Sequence, residues 1–215
     1  MIVLNLRQLK QLGQLFFIGC LSCLSCLFVS CSESDDEEAD EYANWQARNE
    51  AYFASLEDSL SRGGAAWKKI KTYTKDEQAA TANTDYIYVK VLEQGTGTTS
   101  PLYTDSVRVS YRGRLIPTAS YPQGYVFDET YEGSYSLNTT GVSDNLLSSF
   151  TDGFATALQH MHIGDFWRVY VPYQLGYGAS EKGSVLAYSV MIFDVALIDF
   201  STASEKMKPW TSRQW

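Results

Sequence analysis

Cysteine is confined to the first part of this chain. The 215-residue sequence contains four cysteines, and the last of them is Cys31. Everything beyond that position lacks the thiols needed for a disulfide, a cysteine-ligated metal or a catalytic thiolate. The two histidines are His160 and His162, and no cysteine or carboxylate pattern accompanies them. We interpret this pair as the solvated end of a helix and predict no metal site.

Basic residues are too few to support binding to nucleic acid. Lys and Arg number 17 against 25 Asp and Glu, which gives a net charge of -8. Lys68, Lys69 and Lys71 form the one basic cluster in the sequence, whereas contacts to phosphates require many clustered cations. We therefore predict that the partners do not include nucleic acid.

Motifs of covalent and cofactor-dependent catalysis are also missing. The sequence has no Gly-x-Ser-x-Gly nucleophile motif and no phosphate-binding loop. Gly95-Thr96-Gly97 is not followed by a helical pattern and indicates a turn. We predict that the protein uses no cofactor.

The N-terminal segment resembles a bacterial lipoprotein signal. Arg7 and Lys10 precede an apolar run from Leu15 to Val29, and Ser30-Cys31 follows, just before an acidic stretch. The run is short for a membrane span. The resemblance implies that residues 1–30 are a signal peptide, that Cys31 is lipidated and that lipid holds the protein to a membrane. An ordinary cleaved signal peptide and an uncleaved anchor are the alternatives.

The sequence after this signal divides into four parts. Residues 31–41 are an acidic spacer, residues 42–85 a helical extension and linker, residues 86–200 the main domain and residues 201–215 a C-terminal tail. The helical pattern runs from about Glu38 to Arg62 and stops at Gly63-Gly64. Its apolar residues share one face, which packs either on its own domain or in a weak dimer: Tyr42, Trp45, Phe53, Leu56 and Leu60.

The main domain has the pattern of an antiparallel sheet with one short helix. Strands are predicted at residues 86–92, 106–115, 166–173 and 189–198, from β-branched and aromatic runs bounded by turn residues. Phe154, Leu158 and Met161 are spaced as one face of a short helix. The fold class is therefore α+β, a half-barrel sheet around one short helix, preceded by the helical extension.

A series of short motifs resembles the FKBP-type peptidyl-prolyl cis-trans isomerases. The matching segments, in order, are Val109–Gly113, Val126-Phe127-Asp128, Gly153-Phe154 with Gly164-Asp165 after it, Leu175–Gly178 and Ile192–Val195. The resemblance covers residues 86 to 200, about half of the chain. It implies the FKBP-like fold and prolyl isomerisation in an aromatic pocket, without a metal or covalent intermediate.

The resemblance also implies roles for individual residues. Asp128, Tyr177 and Phe154 are the expected catalytic residues, with Phe154 as the floor of the proline pocket. Residues expected to contact the substrate are Tyr111, Phe127, Phe150, Thr151, Phe193, Val185 and Tyr135. The chain departs from the family at Val185-Leu186-Ala187, where the usual proline is missing, and in a longer insertion at residues 118–124.

Two functions fit this reading. The first is an isomerase that assists the folding of proteins outside the cytoplasm, with unfolded or nascent proline-containing chains as clients. The second is an FKBP-like chaperone or assembly module that binds peptides with little or no catalysis. In both cases the expected location is the bacterial outer membrane or the periplasmic face of a membrane, with the cell surface as the alternative.

Overall fold

An antiparallel sheet is the centre of the protein, whose computed structural model describes residues 40–211. The elements are α1 Trp45–Arg62, β1 Trp67–Lys71, β2 Tyr86–Glu93, β3 Ser106–Arg114, β4 Val126–Glu129, β5 Ser143–Leu146, α2 Asp152–Leu158, β6 Phe166–Val171 and β7 Met191–Ser201. The 7-stranded sheet has the order β1-β2-β6-β7-β3-β4, and β5 also pairs with β3. The α+β fold class expected from the sequence is confirmed.

The short helix α2 lies close against the sheet because its first turn contains a glycine. A Cβ atom on Gly153 would stand 2.4 Å from Cγ1 of Val171 on β6, so a larger residue would push the helix away from the strand. Residues 153–158 are all buried. Phe154 therefore sits at the centre of the fold, where it can form the base of a cavity.

Strand β1 was not predicted from the sequence. It lies in the segment expected to be extension and linker, and it pairs with β2 from Trp67↔Lys90 to Lys71↔Tyr86. Its run of lysines carries little hydrophobic signal, but lysine is common on edge strands, where one side of the strand faces water.

The segment expected to be a linker closes on itself. The N–H of Thr72 donates to the carbonyl of Asp85 (2.9 Å). The Asp85 carboxylate accepts from the N–H of Ala82 (2.8 Å) and pairs with Lys75. Residues 72–85 thus form a fastened loop between β1 and β2, which tertiary hydrogen bonds hold in spite of a polar sequence.

Helix α1 packs on its own domain. It begins at Trp45, later than the sequence pattern suggested, and buries Trp45, Asn49, Phe53 and Leu56. The ring of Phe53 meets Tyr88 of β2 edge-on at 5.1 Å between centroids. The apolar face is therefore used within the chain, and a dimer contact through this helix stays a prediction.

The expected signal peptide, Cys31 and nearly all of the expected acidic spacer lie outside the described residues. Among residues 40–211, no helix is both long enough and apolar enough to cross a membrane. The described part of the C-terminal tail returns to the sheet, where the Arg108 guanidinium lies 5.8 Å from the ring centroid of Trp210.

Candidate functional site

A cavity of about 520 Å3 opens between α2, the sheet and the loop that precedes β7. It brings together most of the site residues expected from the sequence. The lining residues are Tyr111, Phe127, Asp128, Ser143, Asn145, Ser149, Phe150, Thr151, Phe154, Tyr177, Lys182 and Phe193.

The base of the cavity is a cluster of interlocked aromatic rings. Phe154 and Phe193 are nearly inaccessible, at 2% and 7% exposure, and their ring centroids are 4.6 Å apart at 66°. Phe150 lies 4.8 Å from Phe154, and Phe127 meets Phe193 edge-on at 5.6 Å. Each such aromatic pair contributes about 0.5–1.5 kcal/mol beyond its buried area. The rings therefore form a fixed apolar surface.

A glycine on β3 makes room for two of these rings. A Cβ atom on Gly113 would stand 2.5 Å from Cζ of Phe127 and 2.9 Å from Cε1 of Phe193. Gly113 belongs to the first of the matching motifs, but the sequence did not predict that it shapes the site. Its signal in the sequence is a glycine inside a β pattern, which often marks a close approach of another group to the backbone.

The two polar residues at one side of the cavity are joined. The Tyr111 hydroxyl donates to Oδ2 of Asp128 at 2.6 Å, and the register of β3 and β4 sets this pair because Gly113 lies opposite Asp128. Burial, together with the hydrogen bond to Asp128, raises the pKa of Tyr111 well above its ordinary value. Tyr111 therefore stays a donor at neutral pH and holds the exposed Asp128 carboxylate in place.

Tyr177 stands at the mouth of the cavity with 39% of its surface exposed. Partial burial, and then the charge of Asp128, raise the pKa of Tyr177. No hydrogen bond of its hydroxyl to any residue in 40–211 is present, so the hydroxyl is free to donate to a ligand. Its backbone is fixed by the preceding turn, in which the N–H of Gly178 donates to the carbonyl of Tyr173 at 2.8 Å.

Phe150 and Thr151 lie where α2 begins. Thr151 is the residue that precedes the first turn of the helix, and its side chain makes no capping hydrogen bond. N–H groups at a helix start have no partner within the helix. A backbone N–H at this position could therefore donate to a carbonyl group of a peptide bound in the cavity.

Val185 and Tyr135 do not line this cavity. Val185 is 4% exposed and packs in the core, where it closes a tight hairpin with Lys182 through hydrogen bonds of 2.9 Å in both directions. Tyr135 stacks on Phe166 at 4.5 Å, away from the aromatic cluster. The expectation that both line the same cavity is not met, because Val185 is turned into the core and Tyr135 is stacked against Phe166.

Four polar lining residues were missed by the sequence argument. Ser143 and Asn145 project from β5, Ser149 follows it, and Lys182 projects from the hairpin that buries Val185. Ser143 and Asn145 are two residues apart, so on a strand their side chains point to the same face. A short polar strand is nevertheless hard to recognise from the sequence, because it is stabilised by pairing with β3.

Helix α1 makes three hydrogen bonds to two segments that lead into the cavity wall. The Trp45 indole N–H donates to Oγ of Ser189 (2.9 Å), and Oδ1 of Asn49 accepts from the N–H of Val190 (2.8 Å), just before β7. The Tyr173 hydroxyl donates to Glu50 (3.0 Å), just before Tyr177. These contacts place the extension helix behind the cavity as a support.

The insertion before β4 is fixed by the segment that leads into α1. The Glu41 carboxylate accepts from the N–H of Ser120 (2.8 Å) and from its hydroxyl. Hydrogen bonds from Ser120 and Thr118 lower the pKa of Glu41 below its ordinary value. The insertion 118–124 is therefore held by Glu41, which lies just before α1.

Comparison with known proteins identifies one family. Residues 97–198 match the model of the family described as FKBP-type peptidyl-prolyl cis-trans isomerase. The chain is 34% identical over 128 residues to the peptidyl-prolyl cis-trans isomerase Mip of Coxiella burnetii, covering 59% of this chain and 50% of that protein. It is 27% identical over 151 residues to the FKBP-type isomerase FkpA of Escherichia coli, covering 70% of this chain and 51% of that protein.

Solved structures show the same fold. The crystal structure of FkpA from Escherichia coli matches 93% of this chain and 75% of its own, with a TM-score of 0.55 and 21% identity. At this identity the likeness concerns the fold alone. The chain spans about half the length of the curated relatives Mip and FkpA.

Proposed function

We propose that this protein catalyses cis-trans isomerisation of X-Pro peptide bonds, because residues 97–198 match the model of the FKBP-type peptidyl-prolyl cis-trans isomerase family. The substrates are proline-containing segments of unfolded or nascent proteins. The reaction needs no metal, no cofactor and no covalent intermediate.

The chemistry explains why an aromatic cavity suffices. Rotation about a peptide bond crosses a barrier of about 18–20 kcal/mol because resonance is lost at the twisted state. Water stabilises the planar, charge-separated form, so an apolar cavity that removes water from the carbonyl favours rotation. A site that binds the twisted amide better than the planar one lowers the barrier.

The residues of the cavity divide these tasks. Phe154 forms the floor under the proline ring, and Tyr111, Phe127 and Phe193 form the walls. Asp128, oriented by Tyr111, interacts with the carbonyl as it twists, and the Tyr177 hydroxyl donates to a substrate carbonyl. Phe150 closes the near side, and the N–H of Thr151 binds the flanking backbone.

One observation carries the proposal. The carboxylate of Asp128 accepts from Tyr111 at 2.6 Å at the edge of a buried aromatic cluster. The Tyr177 hydroxyl, which has no hydrogen-bond partner within residues 40–211, lines the same cavity. An isolated cluster of rings would be explained by core packing. The oriented polar groups beside it are what a substrate backbone requires.

The direct test is turnover of short X-Pro peptides in a protease-coupled assay. Asp128→Ala is expected to lower kcat/KM at least tenfold while the domain stays folded. Asp58→Ala, the same change on the exposed side of α1, is the matched control and should leave turnover intact. Full turnover by Asp128→Ala would overturn the assignment of Asp128.

A peptide-binding chaperone is the second candidate. It is favoured by the hairpin at residues 182–185, which turns Val185 into the core. As a result this hairpin contributes Lys182, and no apolar side chain, to the lining of the cavity. A chaperone of this kind would suppress aggregation of an unfolded client but would not turn over X-Pro peptides when both are measured at the same protein concentration. Turnover of short peptides by the wild-type protein decides for the isomerase.

For the location we propose lipidation at Cys31 and attachment to a membrane outside the cytoplasm. The sequence of residues 1–31 supports this: an apolar run, then a small residue before a cysteine, then acidic residues. Mass spectrometry of the mature N-terminus is the test. An unacylated N-terminus, or one at Cys20, Cys23 or Cys26, would contradict the proposal.

A further inference from the structure

The cavity contains two charged residues, and their surroundings differ. The Asp128 carboxylate is held by the Tyr111 hydroxyl at 2.6 Å. The Lys182 side chain also lines the cavity, and its ammonium group has no acidic partner and no aromatic ring beneath it among residues 40–211. One of the two charges is therefore satisfied, and the other is available to a ligand.

The backbone that presents Lys182 is fixed. Lys182 and Val185 form a bridge with hydrogen bonds of 2.9 Å in both directions. Val185 is anchored in the core at 4% exposure, and the N–H of Tyr188 donates to the carbonyl of Gly178 at 2.8 Å on the other side of the loop. A ligand that meets this lysine does not have to order the loop first, so less conformational entropy opposes binding.

Polar side chains line the same cavity as the aromatic cluster. They include Ser143, Asn145, Ser149 and Lys182, and Lys182 is the one cationic side chain in this lining. A proline ring on the aromatic cluster leaves the neighbouring side chains of the substrate to meet polar groups. An ammonium group in that position attracts a carboxylate and repels a cation.

We infer that Lys182 is a specificity-determining residue that favours substrates carrying an acidic side chain within two residues of the X-Pro bond. This inference rests on the proposed function and names its substrate class. The effect is expected to be modest because Lys182 is exposed. An exposed ion pair corresponds to a preference of about two- to fivefold.

The test compares peptides that differ in one uncharged-to-charged substitution. In a single X-Pro frame, Glu or Gln is placed directly before proline, one residue further upstream, or two residues downstream. The ratio of kcat/KM for the Glu peptide to that for the Gln peptide is measured at each position. Because the ratio compares two substrates on one protein, a general loss of activity in a variant cancels.

Wild-type protein is expected to prefer Glu over Gln by about two- to fivefold at one or more positions, and Lys182→Arg should retain the preference. Lys182→Gln should bring the ratio to one, and Lys182→Glu should reverse it. Lys206→Gln, the same change on the exposed tail, is the matched control for net charge. Added salt at about 1 M should weaken the preference, since the Debye length falls to about 3 Å.

The outcomes separate the two claims. Equal turnover of Glu and Gln peptides at every position overturns the role of Lys182 and leaves the isomerase proposal standing. A preference that survives Lys182→Gln also overturns it. If wild-type protein turns over no peptide, the isomerase proposal itself fails, and the ratio of dissociation constants for the same peptides then decides whether Lys182 selects acidic ligands for a binding module.

Discussion

The floor and the rim of the cavity are held by different forces. The floor consists of rings that are almost fully buried, such as Phe154 and Phe193, and they are fixed by packing with one another. The rim consists of exposed residues, Asp128, Tyr177 and Lys182, held by a few hydrogen bonds and by the loops that carry them. Changes to the floor should therefore act on stability, whereas changes to the rim should act on the substrate.

The largest effect is expected for the floor. Phe154→Ala should lower the free energy of unfolding by about 3–5 kcal/mol, because it removes buried contacts and leaves a hole at the centre of the cluster. Urea denaturation measures this loss. Phe154→Leu keeps most of the volume and should cost much less; equal losses for the two variants would show that the floor is not held by packing.

The support behind the rim should show an intermediate effect. Asn49→Ala removes the acceptor of the buried Val190 N–H and should cost about 1–3 kcal/mol, the range for a buried group left without a partner. Hydrogen exchange at Val190 should accelerate more than exchange at the centre of β7. Asp58→Ala on the exposed side of α1 is the control, and a similar loss there would contradict a specific role of Asn49.

At the rim itself the effect on stability should be small and the effect on turnover clear. Tyr177→Phe removes a hydroxyl that bonds to no residue in 40–211, so unfolding should change by less than about 0.5 kcal/mol. If the hydroxyl donates to the substrate carbonyl, kcat/KM should fall by about two- to tenfold, the equivalent of one hydrogen bond. Unchanged turnover would remove Tyr177 from the mechanism.

The smallest effect is expected at the contact between Glu41 and the insertion. Hydrogen bonds lower the pKa of Glu41 from its ordinary value of 4.5, so this contact is fully present above pH 4.5 and is lost as the pH falls through the lowered value. The amide resonance of Ser120 should follow this titration in the wild-type protein. In Glu41→Gln the titration should disappear; if it persists, another group controls the insertion.

The sequence predicted the aromatic site better than its polar side. The sequence could place Phe127, Phe154 and Phe193 in the site, because large apolar side chains are buried together in most folds and these three lie in motifs that match the family in order. Val185 and Tyr135 could not be placed, since each lies in a loop whose length differs from the family pattern. In the structure Val185 packs in the core and Tyr135 stacks on Phe166, so neither side chain reaches the cavity.

The sequence by itself determined the α+β class, the order of most elements, the position of the short helix and the family resemblance, because these depend on periodic burial and on local motifs. Only the tertiary structure decided that α1 supports the cavity, that β1 joins the sheet and that Lys182 lines the cavity while Val185 packs in the core. Such decisions depend on contacts between residues far apart in the chain, such as the hydrogen bonds of Asn49 with Val190 and of Glu41 with Ser120. No local sequence pattern indicates such a pair, because the two residues meet only in the folded chain.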